Sequence, residues 1–425
     1  MSGRFEFDRQ VGSWLTGERP TTVPEGLLEA VIVEVDSTPR RPGWLIPDRW
    51  TWRHSARLKT AARLAVFAGA VVALVLLMAW IVALAGAPRP APPFGLTRAG
   101  LITFDTAEGI TVERADGTNR SVIVKADGAS VSPTWSRDGL HLAYWHRPGS
   151  FGPWSLIVTE PDGSNPIVVA EKVSLASRES SLNQPSNIAW SPDSTLVAFA
   201  GDVGGAGGES IFVARIGDRE ATRITDPELK AVDPAWRPDA SVIAFQSEKT
   251  GTLHVVAPDG AAEHELASLK NTFLWPEWSP DGAWIATAAF VADPKAKDGG
   301  QSDVFVISAN GSIVKNISRD PASEFSPTWS PDGSRLAWAR QPLDGSERGH
   351  IVVAEPNGPN VVEIRIDADL APPIWSPDGT RIFSYVMGTD GNFHEVIVID
   401  PAGIAPVVRL PAEGNRGNSN WQRLP

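Results

Sequence analysis

The chain has 425 residues, no cysteine, and a formal net charge of −12 at pH 7. This length is enough for a large core, and the missing thiols exclude disulfides and cysteine-ligated zinc. The first 63 residues carry ten basic and eight acidic side chains, so the acidic excess lies beyond them and argues against nucleic acid as a partner of that part.

Residues 1–63 are predicted to form a small N-terminal segment with two short amphipathic helices, at about 5–15 and 24–35. A threonine before Pro24 and Glu25 is typical of a helix start. This segment is expected to be either a juxtamembrane anchor or a module that holds a cytoplasmic partner.

Residues 64–85 are predicted to be a transmembrane helix, because these 22 residues contain no charged side chain. At 1.5 Å per residue such a helix spans about 33 Å, against about 30 Å for the hydrocarbon core of a bilayer. A cleaved signal peptide would be shorter and closer to the N-terminus. Five basic residues between Arg49 and Arg63 precede the stretch, which predicts a cytoplasmic N-terminus and an extracytoplasmic C-terminal part of a single-pass protein of the cell membrane.

Residues 86–96 include the run A-P-R-P-A-P-P. Proline at this density favours an extended, semi-rigid chain. The run is expected to be a stalk between the membrane and residues 97–425.

Residues 97–425 are built from a repeat whose anchor is a tryptophan, usually within the phrase W-S-P-D-G. The spacing of 42 to 55 residues is that of one four-stranded propeller blade. The anchors are Trp135, Trp190, Trp236, Trp278, Trp329, Trp375 and Trp421. Such a ring is expected to pack between blades; a platform that stacks on carbohydrate is the functional alternative.

The phrase also specifies a hairpin turn. In the copy after Trp329, Pro331 sets the first corner, Asp332 binds nearby amides, and Gly333 supplies the left-handed residue. Where Ser194 and Ala240 replace that glycine, we expect either a strain on the order of 1 kcal/mol or a different turn.

The turn keeps an aspartate in six copies, at Asp138, Asp193, Asp239, Asp281, Asp332 and Asp378. A ring of metal ligands is the functional alternative. A tight turn normally occupies such a carboxylate with local amides, and successive blades would hold the six far apart. We therefore predict a structural role and no metal site.

The chain ends are predicted to complete one blade together. A unit that lacks its first strand is predicted near the start of this region, with strands two to four at residues 101–104, 110–114 and 121–125. At the other end, residues 418–422 resemble a first strand with no strand after it. Their pairing would remove the free sheet edges. The prediction is an all-β, seven-bladed propeller of four-stranded blades, with six blades as the alternative.

The repeated W-S-P-D-G with its apolar continuation, as in residues 190–199 and 236–245, resembles the WD-repeat-like unit of the TolB-type propeller family. The resemblance implies the fold over about residues 97–425. Because the same unit occurs in periplasmic adaptor proteins and in the propellers of peptidases, it does not imply one function.

Motifs of known chemistry are missing from the sequence: there is no G-x-S-x-G, P-loop, dinucleotide fingerprint or H-E-x-x-H. We therefore expect no catalytic residue and no cofactor. A glycine-rich run at 201–208 could cradle an anion, but it opens no helix.

Three functions remain open. The first is a membrane-anchored scaffold that binds a protein or peptide on the long loops 171–187, 201–209, 293–303 and 341–349. The second is transmembrane signalling, like a membrane-bound anti-sigma factor, with the propeller as sensor. The third is an enzyme, such as a lyase or cyclase, at the channel mouth.

Overall fold

The computed structural model describes residues 96–425, apart from gaps at 150, 176–187, 206, 270–274, 293–299, 344–348, 358–359, 388–392, 412–418 and 425. These residues belong to one compact unit, Pro88–Pro425. The predicted N-terminal helices, the transmembrane segment 64–85 and nearly all of the stalk lie outside the described residues. Within the described part, no helix has the length and apolar character needed to cross a membrane.

The described residues fold almost entirely into antiparallel strands, with one short 3₁₀ helix at Pro227–Leu229. In chain order the strands are β1 (Arg98–Thr106), β2 (Gly109–Glu113), β3 (Ser121–Lys125), β4 (Ala129–Trp135), β5 (Leu142–Arg147), β6 (Trp154–Thr159), β7 (Ile167–Ser174), β8 (Ile188–Trp190), β9 (Leu196–Val203), β10 (Ser210–Arg215), β11 (Thr222–Arg223), β12 (Ala231–Trp236), β13 (Ile243–Ser247), β14 (Thr252–Val256), β15 (His264–Ala267), β16 (Glu277–Trp278), β17 (Trp284–Ala292), β18 (Gly300–Ser308), β19 (Val314–Asn316), β20 (Ser323–Trp329), β21 (Leu336–Gln341), β22 (Gly349–Ala354), β23 (Val361–Leu370), β24 (Ile374–Trp375), β25 (Ile382–Met387), β26 (Phe393–Ile399), β27 (Val408–Pro411) and β28 (Ser419–Leu424).

Over these residues the strands pair in groups of four. The first group has the order β28-β1-β2-β3, and each later group takes four consecutive strands, from β4–β7 to β24–β27. Two-residue pairings of β7 with β9 and of β23 with β25 link neighbouring groups. We number these groups sheets 1 to 7 in this order. Within each sheet, the strand that carries the anchor tryptophan is strand A, and strands B, C and D follow in pairing order. The result is a propeller-like, all-β fold.

The predicted pairing of the chain ends is confirmed. Strand β28 lies antiparallel to β1, with Trp421 opposite Ile102 and Asn420 opposite Thr103. This pairing covers the edge of β1, which would otherwise offer free backbone groups to another chain.

The core consists of clusters that lie between one sheet and the next. Between sheets 2 and 3, for example, Trp145 contacts Phe199 edge to face with ring centroids 5.5 Å apart. A further cluster joins the last sheet to the first, where Phe383 lies 6.3 Å from Trp421. Hydrophobic burial therefore runs around the whole circle, and each sheet shares its core with its neighbours.

The A strands of sheets 2, 4 and 6 share a β-bulge. In each, a residue with a left-handed backbone precedes a proline two positions before the anchor tryptophan. These residues are Ser132, Asp233 and Ser326, with φ of 56°, 54° and 53°. Proline fits here because a bulge leaves its position without a ladder hydrogen bond to donate.

Candidate functional site

The anchor tryptophans are buried around the axis and are connected by a ladder of hydrogen bonds. In five cases the indole Nε1 donates to the carbonyl of the residue just before the anchor of the preceding sheet. The pairs are Trp190 to Thr134 (3.0 Å), Trp236 to Ala189 (3.1 Å), Trp278 to Ala235 (3.2 Å), Trp329 to Glu277 (3.1 Å) and Trp375 to Thr328 (3.2 Å). Among the described residues the indole nitrogens of Trp135 and Trp421 have no such partner. The ladder is therefore interrupted on both sides of the sheet that the chain ends complete.

Each of the six turn aspartates accepts hydrogen bonds from its own turn. In the copy around Asp332, Ser330 donates its hydroxyl at 2.6 Å and the Ser334 amide donates at 3.0 Å. Burial acts to raise the pKa of this carboxyl, but these hydrogen bonds outweigh it and hold the pKa below its usual value. Within the described residues no group of three His, Asp or Glu side chains comes together as a metal site would need.

The two turns without glycine keep the same geometry. Ser194 and Ala240 have φ of 60° and 61°, close to the 71° of Gly333. The alternative of a different turn is therefore wrong, and both residues take the strained left-handed conformation. Ser194 has a compensating contact, since its hydroxyl accepts from the Asp138 amide at 3.1 Å and so ties two neighbouring turns together.

An axial cavity of about 360 Å³ lies inside the ring of tryptophans. Its lining comes mainly from the ends of the A strands and the start of the W-S-P-D-G turns. The seven anchor tryptophans surround it, but their side chains are almost fully buried. The lining contains three ionisable side chains: Arg137, Glu277 and Arg423.

The two arginines occupy the same place in neighbouring repeats. Each lies two positions after an anchor tryptophan, Arg137 in sheet 2 and Arg423 in sheet 1. The other copies have proline at that place: Pro192, Pro238, Pro280, Pro331 and Pro377. Burial, helped by the charge of Arg137, lowers the pKa of Arg423 to about 10. Both arginines therefore line the same cavity.

The junction that carries these arginines is fixed by side chains. Asn420 accepts from the Trp135 amide at 3.1 Å, and Gln422 donates to the Gly139 carbonyl at 2.9 Å. A Cβ on Gly139 would lie 2.0 Å from the carbonyl oxygen of Arg423, so only glycine permits this approach.

Glu277 lies in sheet 5, three sheets from the arginines in either direction around the circle. Its carboxylate accepts from the Thr328 hydroxyl and the Trp329 amide, each at 3.3 Å. Burial raises its pKa to about 7, against the opposing effects of these hydrogen bonds and the charge of Arg137. Glu277 is therefore placed to change its charge near neutral pH.

A second group of charges surrounds Arg340 of sheet 6, and Glu324 is its fully buried member. Arg340 binds Glu324 at 2.8 Å, Glu363 at 3.1 Å and Asp320 at 3.3 Å, while the Trp338 indole donates to Glu324 at 2.9 Å. Arg340, Glu324 and Glu363 come from strands of sheet 6, Asp320 comes from the connection before that sheet, and one guanidinium is shared by three carboxylates. This is the arrangement of a structural ion-pair network.

The loops of the structure emerge on two faces. Because paired strands alternate in direction, A–B and C–D connections lie on one face and B–C and D–A connections on the other. Of the predicted binding loops, only 201–209 is described for most of its length, as an extension of β9 and a turn. The B–C connection of sheet 2 carries Phe151, whose side chain is 91% exposed. Below it, the Arg147 guanidinium lies 4.4 Å from the Trp154 ring centroid.

The sequence interpretation placed the anchors and the turn aspartates, but it missed Arg137, Glu277 and Arg423. A signal for the arginines was present, because both break a position that is proline in every other copy. Glu277 had a weaker signal, as the acidic residue directly before an anchor where the other copies have Thr, Ala, Ile or Asn.

Comparison with known proteins supports the repeat family. Residues 103–290 match the family described as TolB beta propeller domain. The Tol-Pal system protein TolB of Francisella tularensis subsp. tularensis (strain WY96-3418) is 25% identical over 229 residues, which cover 52% of this chain and 48% of that protein. The same protein of Anaeromyxobacter dehalogenans (strain 2CP-C) is 34% identical over 100 residues, 23% of this chain and 21% of that protein. The chain thus matches about half the length of the first of these relatives, and the resemblance to TolB-type repeats is confirmed for that segment.

One solved structure supports the same fold. The β-propeller domain of the Trilobed protease from Pyrococcus furiosus has a TM-score of 0.50 at 13% identity and covers 68% of this chain and 86% of that chain. TolB from Acinetobacter baumannii has a TM-score of 0.48 at 16% identity, with 81% and 70% covered. At these identities the likeness to the protease domain shows the fold alone.

Proposed function

We propose that this protein is a membrane-anchored binding scaffold, in which a seven-bladed propeller presents its B–C and D–A loops to a protein or peptide outside the membrane. The proposal includes no catalytic step and no cofactor. The curated relatives carry the name of the Tol-Pal system, and this supports a binding role for the propeller.

The observation that carries the proposal is an exposed loop face that lies opposite the face at which Thr97 enters the first sheet. The Thr97 amide donates to the Pro377 carbonyl at 2.8 Å, and Pro377 belongs to the A–B turn of sheet 7. Thr97 therefore lies at the A–B face. The opposite face carries the loop of Phe151, whose side chain is 91% exposed.

Site-specific photo-crosslinking tests the binding face. We would place a photoreactive phenylalanine at Phe151 and, as the matched control, at Ile404, which is 86% exposed in the C–D connection of sheet 7 on the other face. In the native host cells, the full chain should give a discrete crosslinked partner from position 151 and none from position 404. The absence of a product at 151, or equal products at both positions, would contradict the proposal.

Cysteine labelling tests the anchor. Because the chain has no cysteine, Ser37→Cys and Ala261→Cys each introduce a single reporter. A membrane-impermeant maleimide applied to intact cells should label position 261 and not position 37. Labelling at both positions, or release of the unlabelled chain by alkaline carbonate, would contradict a single-pass anchor with a cytoplasmic N-terminus.

A further inference from the structure

An open groove of about 390 Å³ lies between sheets 5 and 6. It is formed by the A–B turns of both sheets and the C–D turn of sheet 6, so it lies on the face opposite the loop of Phe151. Two of the described lining residues are acidic, Asp281 and Glu355, and none of them is basic. The groove therefore has a negative character of its own.

The aromatic surface of the groove belongs to Trp284. Its side chain is half-buried, whereas the anchor Trp329, in whose cluster it packs, is only 5% exposed. The Trp284 amide donates to the Ser279 hydroxyl at 2.9 Å, and its carbonyl accepts from the Ser279 amide at 2.8 Å. Within the described residues no ring or cation stacks on this indole. The backbone of Trp284 is therefore held in place, while its ring is left for a ligand.

Other repeats put a basic side chain at this place. Trp284 lies two positions after the turn glycine, as do His141 in sheet 2 and Arg335 in sheet 6. The Arg335 guanidinium lies 5.1 Å from the ring centroid of Trp375, and the His141 ring stacks on Trp190 with centroids 6.3 Å apart. In those two grooves the chain itself covers the next anchor with a base, which is the geometry of a cation–π contact. The groove between sheets 5 and 6 has an indole there instead.

Each acid of the groove keeps one oxygen without a protein partner. Oδ1 of Asp281 accepts from the Ser279 hydroxyl at 2.6 Å and the Ala283 amide at 3.0 Å, and Oε1 of Glu355 accepts from Asn360 at 3.2 Å. In the described part of the chain the second oxygen of each accepts no hydrogen bond. Burial acts to raise the pKa of Asp281, but the hydrogen bonds of its turn outweigh it and hold the pKa below its usual value. This carboxylate is therefore negative at neutral pH.

The C-D turn of sheet 6 is held against sheet 5 by a lysine. The Lys315 ammonium donates to the Pro356 carbonyl at 3.1 Å and to Oδ1 of Asn357 at 3.0 Å. Among the described residues it forms no ion pair with either acid of the groove. The contact fixes the turn and leaves the side-chain N–H groups of Asn357 to donate elsewhere.

We propose that this groove binds an arginine side chain of a partner protein, with the guanidinium stacked on Trp284 and paired with Asp281 and Glu355. Arginine fits better than lysine, because its planar group both stacks on an indole and offers two parallel N–H donors to a carboxylate.

The size of the groove favours an arginine within a polypeptide over the free amino acid. A volume of about 390 Å³ is in the range of sites for molecules larger than one side chain, and Ser334 and Asn357 supply polar groups for an adjoining backbone. The groove lies outside the loop of Phe151 and the sheet 7 connection of Ile404. The inference therefore goes beyond the proposed scaffold and does not depend on the membrane anchor.

Calorimetric titration of the full chain in detergent micelles tests the proposal. The probes are the peptide acetyl-Gly-Arg-Gly-amide, the same peptide with citrulline or lysine in place of arginine, and free arginine. The arginine peptide should bind about tenfold or more tightly than the citrulline peptide, which has the same shape without the charge, and more tightly than the lysine peptide and free arginine. No binding of the arginine peptide at millimolar concentration, or equal binding of any of the other three probes, would overturn the proposal.

Substitutions at Trp284 locate the guanidinium. Trp284→Leu installs the residue that sheet 3 has at this place, Leu196, so it should fold, and it should weaken binding about fivefold or more. Trp284→Arg installs the residue of sheet 6, Arg335, and should abolish binding because the chain then supplies its own cation. Unchanged affinity in both variants would refute the site.

Glu355→Gln should weaken binding about threefold, since it removes one charge from a partly exposed ion pair. Glu160→Gln is the matched control, because Glu160 begins the same E-P-x-G turn in sheet 2. An equal effect of the two substitutions would remove Glu355 from the site. Near-UV circular dichroism of the tryptophans verifies the fold of each variant, and the comparison of arginine with citrulline on the wild-type chain needs no variant.

Discussion

The junctions between neighbouring sheets of this molecule are not all alike. At five junctions an indole donates to the carbonyl of the neighbouring A strand and proline follows two positions after the anchor tryptophan. At the junction between sheets 1 and 2, Asn420 and Gln422 make the connecting hydrogen bonds, and arginine replaces proline in both repeats. The repeat tolerates a departure where the chain ends meet, and polar side chains there replace the regular ladder. That departure is also what gives the cavity its charge.

The largest expected difference between the junctions is steric. Gly139→Ala should destabilise the protein by about 3 kcal/mol or more, because its Cβ would lie 2.0 Å from the Arg423 carbonyl oxygen and the residue has φ of 70°. Gly333→Ala meets only Pro280 at 3.4 Å, so it should cost only about 1 kcal/mol for its positive φ. Urea unfolding measures the free energy of unfolding of both variants. Equal losses of stability would show that β28 can move away from residue 139 without cost.

The second difference is electrostatic and depends on pH. Since the pKa of Glu277 is raised from 4.5 to about 7, the folded chain binds more protons than the unfolded chain between these values. Its contribution to stability is complete below pH 4.5 and is lost as pH rises through 7, by about 3 kcal/mol in total.

Glu277→Gln should remove this loss and make the protein more stable than wild type at about pH 8, since the amide can still accept from Trp329 as Asn420 does from Trp135. Urea unfolding across the pH range measures the difference from wild type, with the exposed Glu265→Gln as control. A difference that is constant with pH would contradict a Glu277 pKa near 7.

The third difference concerns the indole ladder. Trp236→Phe loses ring volume and also leaves the Ala189 carbonyl without its donor, whereas Trp421→Phe loses ring volume alone. The first should therefore be more destabilising by about 1 kcal/mol, the net worth of a buried hydrogen bond. Thermal unfolding of the two variants measures this difference. An equal loss of stability in both would mean that the indole hydrogen bonds contribute nothing beyond the packing of the rings.

Most of the fold could be predicted from the sequence, because the residues within each repeat determine its turn and strands locally. Asp332 and Gly333 specify their turn without reference to any other repeat, and the A strand around Trp421 could be assigned by the absence of following strands. The charged cavity could not be predicted in this way. Arg137, Glu277 and Arg423 are distant in sequence, and they face one another only once the order of sheets around the axis is known. The sequence indicated that Ser194 and Ala240 are unfavourable in this turn. It did not indicate whether they would adopt the strained left-handed conformation or a different turn.

The smallest effect separates those two turns. Ala240→Gly relieves a left-handed alanine at φ of 61° and should stabilise the protein by up to about 1 kcal/mol. Ser194→Gly gives the same relief but removes the hydroxyl that accepts from the Asp138 amide, so its net effect should be near zero. Chemical denaturation of the two variants and their double mutant measures this. A gain at Ser194 equal to that at Ala240 would show that the bond between neighbouring turns contributes nothing, and that the serine is retained there without a structural reason.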